Sequence, residues 1–168
     1  MSLRGYAAFI ELPVPPEVVW QWFTEPSLLL RWYAQSVQVE LRAGGRFTAR
    51  FVNGSCRSAL IDQVTVGRRL RLLLDPEPTW PGSAVLSEDW LVDARPGRVI
   101  ARVLGEGVPD VAAWRAVQRQ QQAGWTVALA RLRSALLLVP ATPRVIPPVT
   151  PPVNSSAGSR PVGHGQLK

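Results

Sequence analysis

The chain has one cysteine, one histidine and one lysine among its 168 residues, and each scarcity closes off a class of function. Cys56 has no partner for a disulfide, so no cross-linked framework is expected and a reducing compartment is favoured. His164 stands alone near the C-terminus, which leaves the body of the chain without a histidine triad or histidine metal site. Cys56, lacking a histidine to activate it, reads as a small core or edge residue. No Walker-type phosphate loop occurs, and Gly105-Glu106-Gly107 is too short to cradle a nucleotide. No aliphatic run approaches bilayer length, the longest being Ala135 to Val139. Residues 1–12 lack the charged, apolar and small-residue succession of a signal peptide. A cytoplasmic protein without membrane insertion, metal or cofactor is the expectation. The net charge is +7, but Arg144, Arg160 and Lys168 follow Val139 with no acid among them. Elsewhere the basic residues are interspersed with acids and spread over several strands. They form no basic stripe with interleaved aromatics, so nucleic acid is not an expected partner.

What the chain has in quantity is apolar surface, 46% of its residues, with seven tryptophans. A single domain is the expected size class. From Asp110 to Val139 the apolar residues Trp114, Val117, Trp125, Ala128, Leu129, Leu132, Leu136 and Val139 fall at helical spacing. Arg115, Arg119, Gln120, Gln122, Arg131 and Arg133 occupy the opposite face. Asp110 suits the N-cap and Pro140 the stop. One stripe cannot bury itself, so a broad apolar layer must lie beneath it. The rest of the chain supplies strands: Leu3–Leu12, then Ser36–Arg42, Arg46–Val52, Cys56–Val66, Arg69–Asp75, Ala84–Asp93 and Arg98–Leu104. Gly44-Gly45, Asn53-Gly54 and Pro96-Gly97 mark turns. Two short helices, one opened by Pro15-Pro16-Glu17 and one over Ser27–Tyr33, follow the first strand. The pattern predicts an α+β domain over residues 1–139, with one antiparallel sheet wrapped around one long helix. The last 29 residues hold seven of the sixteen prolines with several serines and glycines. Residues 140–168 are therefore expected to form a disordered tail, solvated or serving as a proline-rich ligand.

These residues bring a known family into view. Val14-Pro15-Pro16-Glu17-Val18-Val19-Trp20, then Thr24-Glu25-Pro26, a leucine pair and Trp32, resembles the opening of the heat-shock-protein-90 ATPase activator homologues. That family is a branch of the START/Bet v 1-like (SRPBCC) superfamily. Gly44-Gly45-Arg46-Phe47 is similar to its glycine-pair hairpin, and Asn53-Gly54 with Val66-Gly67-Arg68-Arg69-Leu70 to its next one. Gly107-Val108-Pro109, followed by Gly124-Trp125 and Leu129, Leu132 and Leu136, resembles its closing signature. The resemblance runs from about Tyr6 to Leu138. It implies the helix-grip fold, a curved sheet of six to seven strands gripping a C-terminal helix over a cavity for lipids, polyketides or other hydrophobic ligands. Some superfamily members are aromatase/cyclases, and the namesake branch includes co-chaperone domains. Two departures, the proline-heavy loop from Pro76 to Ser83 and the run Gln118, Gln120, Gln121 and Gln122, would reshape a cavity entrance.

Trp32, Phe47, Phe51, Leu72, Trp90, Trp114 and Trp125 are the apolar candidates for such a cavity, either as walls or as filling that leaves a solid core. Trp125 reads as filling, with Gly124 beside it letting the helix approach the sheet, while Trp32 and Trp114 suit an entrance. Glu88 and Asp89 are adjacent on a strand and so face opposite ways. If Leu86, Trp90 and Val92 point inward, Glu88 does too. It then anchors the polar end of a ligand with a raised pKa, or sits near the cavity mouth, or pairs with an arginine such as Arg102. Arg50 and Arg57 are expected to face solvent. The leading reading is non-enzymatic binding of a small hydrophobic molecule. A cyclase-like or hydrolytic activity using Glu88 and water, and a chaperone-linked protein interaction, stand as alternatives.

Overall fold

The computed structural model describes residues 2–138, so the boundary at Val139, the segment 140–168 and His164 lie outside the described residues. The elements run β1 (Leu3–Leu12), α1 (Pro16–Thr24), α2 (Pro26–Leu29), β2 (Ser36–Val39), β3 (Arg46–Arg50), β4 (Cys56–Thr65), β5 (Arg69–Leu74), β6 (Leu86–Arg95), β7 (Arg98–Pro109), a 3-10 turn (Ala112–Trp114) and α3 (Arg115–Leu138). All seven strands join one antiparallel sheet in the order β1-β7-β6-β5-β4-β3-β2. From β2 to β7 each strand hydrogen-bonds to its successor, and every connection but the long β5–β6 loop turns at a glycine with positive φ, as at Gly54 (φ 83°). The first strand closes onto the last. The two short helices thus carry the chain from one edge of the sheet to the other, and the expected helix-grip arrangement is present.

Local chemistry explains the boundaries. Pro16 opens α1 with Glu17 in its first turn, and Glu25 ends it in extended geometry before Pro26. The second helix is a single turn rather than the expected Ser27–Tyr33, because the chain then continues through tighter turns to Tyr33. That turn brings Trp32 back to α1, where its indole N–H donates to the Trp22 carbonyl at 3.1 Å, satisfying one of the acceptors a helix end leaves free. Asp110 does not cap α3. It pairs with Arg4, and Val111 precedes a 3-10 turn that leads into the helix at Arg115. Strand β7 runs to Pro109 rather than Leu104, taking Gly105-Glu106-Gly107 into the sheet.

The core lies on the sheet face that meets α1, the turns after α2, and α3. Phe23, Phe47, Leu72 and Trp90 are fully buried there. Trp90 stands at the middle, with the rings of Phe23, Phe47, Tyr33 and Trp125 all within 5.6 Å of it, centroid to centroid. On the opposite face Asp89 receives Arg69 and Arg71 at 2.7–2.9 Å, a cross-strand ion pair between β5 and β6.

Helix α3 lies mainly over β1 and less over β7, toward one side of the sheet. Its buried stripe is Val117, Gln121, Trp125, Leu129, Leu132 and Leu136. The glutamines serve different ends. Gln118 donates to the Gly5 carbonyl at 2.7 Å. Gln122 accepts from the Ala7 N–H at 2.9 Å while its amide donates to the Ala7 carbonyl. A side-chain amide thereby stands in for a missing strand on the β1 edge, which would otherwise offer free pairing groups to another chain. Gln122→Ala is expected to speed amide exchange at Ala7 and lower stability by about 0.5–1 kcal/mol in denaturant titration. Unchanged protection at Ala7 would show that the seal is not made by this side chain.

Candidate functional site

Four secondary-structure elements, β1, β4, β6 and α3, deliver polar groups to one buried point. Glu88, on β6, turns inward beside Trp90 as two residues apart on a strand require, and is wholly buried. Its Oε1 accepts from the Tyr6 hydroxyl at 2.7 Å, the Trp125 indole at 2.7 Å and Arg57 at 3.2 Å. Its Oε2 accepts from the Trp90 indole at 3.2 Å. Tyr6 reaches it from β1 because the facing residue, Gly105, has no side chain. A Cβ there would fall 2.0 Å from the tyrosine ring. Arg57 comes from β4, two strands away in the sheet, a separation that only a long side chain crosses. The far end of its guanidinium donates to Gln121 Oε1 on α3 at 2.6 Å. Its Nε lies 3.5 Å from Glu77 Oε1, supplied by the proline-marked loop, without hydrogen-bond geometry.

Two expectations are corrected here. Arg57 does not face solvent; it shares the inward face of β4 with Ala59 and Ile61, and only 11% of its side chain is exposed. Nor does Arg102 pair with Glu88, since it is held by Asp93 on the outer face. Period-two spacing from Arg57 through Ala59 to Ile61 was the available signal for the first. Likewise Gln121 sits four residues from both Val117 and Trp125, on the buried stripe itself.

A cleft of about 470 Å³ opens beside this cluster, between α3 and the β3–β4 side of the sheet. Tyr33, Phe51, Arg57, Gln121 and Trp125 line it, with Gly124 and Arg131 among the helix residues at its border. A shallower groove of about 1220 Å³ continues along α3, sharing Tyr33, Phe51, Val127 and Arg131 and adding Trp32. Of the sequence candidates, Phe51 and Trp125 line the cleft and Trp32 the groove. Phe47, Leu72 and Trp90 fill the interior beneath them. Trp114 is not at this entrance; it is buried against Trp80 from the proline-marked loop, with ring centroids 5.6 Å apart. Gly124 does not draw the helix onto the sheet. A Cβ built on it meets nothing within 4 Å, so it faces open space.

Burial and neighbouring charge raise the pKa of three side chains here, Tyr6, Tyr33 and Arg57. Burial, reinforced by the negative charge of Glu88, pushes the Tyr6 phenol far above its ordinary value. Burial likewise pushes Tyr33 up to about 12, although the Arg57 charge works the other way. For Arg57 burial opposes the charge, but Glu88 and the neighbouring tyrosines and Glu77 outweigh it and the pKa rises. The ring of Tyr33 stacks on Trp125 at 5.5 Å. Its hydroxyl is buried near Arg57 and Arg57 Nε near Glu77, neither with a well-formed hydrogen bond among the described residues. An unmade bond of this kind costs on the order of 1–3 kcal/mol. Among the described residues no group of three His, Cys, Asp or Glu side chains could hold a metal ion, and no helix is long and apolar enough to cross a membrane.

Two measurements test this cluster. Arg57→Met strands a buried carboxylate and is expected to cost about 3–5 kcal/mol in denaturant unfolding. Because Glu88→Leu also strands the Tyr6, Trp90 and Trp125 donors, the double variant is expected to lose less than the sum of the two single losses, and simple additivity would disprove the pairing. Tyr6 and Tyr33 are the chain's two tyrosines, and both hold their protons to higher pH folded than unfolded. Their contribution to stability is therefore complete below the ordinary value of 10.0 and declines as pH climbs beyond it. Phenolate absorbance should stay absent in the native chain at pH 10 and emerge only at higher pH or with unfolding.

Comparison with known proteins agrees with this architecture. The family model for Activator of Hsp90 ATPase homolog 1-like protein matches residues 13–136. None of the curated proteins matches the chain. Among solved structures, protein MLL2253 from Mesorhizobium loti superposes with a TM-score of 0.70 at 18% identity, over 79% of this chain and 96% of its own. DynU16, from the dynemicin biosynthetic locus, gives 0.69 at 17% identity over 80% of this chain, which spans only 47% of DynU16. PFC0360w, an HSP90 activator from Plasmodium falciparum, gives 0.63 at 17% identity over 79% of this chain and 95% of its own. With most of its length matched by one family model and its fold shared with these structures, the chain belongs to the Activator of Hsp90 ATPase homolog 1-like family of the START/Bet v 1-like superfamily.

Proposed function

We propose that this chain binds a small, largely hydrophobic molecule in the cleft between α3 and the β3–β4 side of the sheet. The observation that carries the reading is a cleft of about 470 Å³ walled by Tyr33, Phe51, Trp125 and Ala128, with Arg57 and Gln121 among its few polar groups. Concave, mainly apolar space with a few placed polar groups is the usual form of a small-molecule site. Burial at roughly 25 cal/mol per Å² supplies affinity without a reacting group. Glu88 does not line the cleft, and its two oxygens already take four hydrogen bonds from the protein, so it holds Arg57 and Trp125 in place rather than meeting a guest or acting on one.

Gly124 supports the same reading. Glycine inside a helix costs about 1 kcal/mol relative to alanine, and no close packing requires it here. Its effect is to leave the cleft wide. The test uses the neutral hydrophobic dye Nile red with the full chain. Gly124→Ala should raise stability by about 1 kcal/mol, whereas Gly124→Phe should fill the cleft and weaken dye binding by at least about tenfold. Undiminished dye binding by Gly124→Phe would rule out this cleft as the site.

A further inference from the structure

Two buried donors of cleft-lining residues, the Tyr33 hydroxyl and Arg57 Nε, make no well-formed hydrogen bond among the described residues, the Glu77 carboxylate standing 3.5 Å from Nε. Both side chains line the cleft and both atoms are themselves buried, so an incoming group reaches them only as those side chains give way. The charge around them is already compensated. Arg57 is flanked by Glu88 at 3.2 Å and Glu77 at 3.5 Å, two carboxylates against one guanidinium. A third negative charge at that depth would be repelled by both and would lose its hydration as it entered. The remaining cation of the lining, Arg131, is on the exposed face of α3, where water screens it. A neutral oxygen suffers neither penalty and still accepts from both donors. The walls near it are the stacked pair Tyr33 and Trp125 with Phe51, surfaces that favour a flat ring system.

We infer that the cleft selects an uncharged, flat molecule that presents a neutral oxygen acceptor, of the ketone or amide class, to the Tyr33 hydroxyl and Arg57 Nε. The inference rests on the binding role proposed above and adds the chemistry of the buried end. Three probes of matched shape separate the two: acetylnaphthalene, ethylnaphthalene and naphthoate, each substituted at the same ring position, with affinity for the full chain read by equilibrium dialysis. The ketone is expected to bind roughly tenfold or more tightly than the hydrocarbon, with the carboxylate weakest. Tyr33→Phe, which keeps the ring stack and deletes the hydroxyl, should bring the ketone down toward the hydrocarbon. Equal affinity for ketone and hydrocarbon would overturn the inference while leaving cleft binding intact, and so would carboxylate binding most tightly, since the cleft would then be an anion site. Binding of none of the three would remove the cleft reading itself and this inference with it.

Discussion

A carboxylate with no access to water stands at the centre of this domain, and most of the local architecture satisfies it. An unpaired buried charge is untenable, and one that is paired and fully hydrogen-bonded is tolerated only with good geometry. Glu88 obtains that geometry from Tyr6, Arg57, Trp90 and Trp125, four residues on β1, β4, β6 and α3. The bonds tie together both sides of the sheet and the helix that covers it. They also explain features remote in sequence. Gly105 is bare so that Tyr6 can lie flat against it, and Gln121 interrupts an apolar helix stripe because Arg57 brings a second buried group that needs an acceptor.

The same arrangement decides where open space remains. The central aromatics pack ring to ring beneath the helix, so the middle of the grip is solid. Helix α3 is seated toward β1 and β7, held there by Gln118 and Gln122 on the β1 edge. Its other flank stands away from β3 and β4, and the cleft occupies that gap. Cleft and ion cluster share Arg57, Gln121 and Trp125. A guest in the cleft would therefore lie against the least water-accessible charges of the protein, where electrostatic preferences are strongest.

Membership of the family establishes the scaffold, and at 17–18% identity to the solved structures the fold is what the likeness conveys. Sites are grafted onto folds, so the chemistry of this cleft follows from its own residues. The indole and phenol donors around Glu88, the bare Gly124 and the Glu77–Arg57–Glu88 charge series set its shape and polarity.

Element order, the two-residue period of the strands and the helical stripe were legible in the sequence, because each depends on neighbours within a few residues. The inward turn of Glu88 and the outward turn of Asp89 were legible for the same reason, since strand geometry alone sets them. What the sequence could not supply was partnership. Arg57 looked like a surface residue because arginine prefers water, and only the fold places Glu88 two strands away at the end of its reach. Gly124 looked like a packing glycine until the helix was seen to sit to one side, and Trp114 looked like an entrance until Trp80 covered it. Local periodicity determines which way a side chain points. Which side chain it meets depends on contacts between residues far apart in the chain, and those exist only once the sheet has closed over the helix.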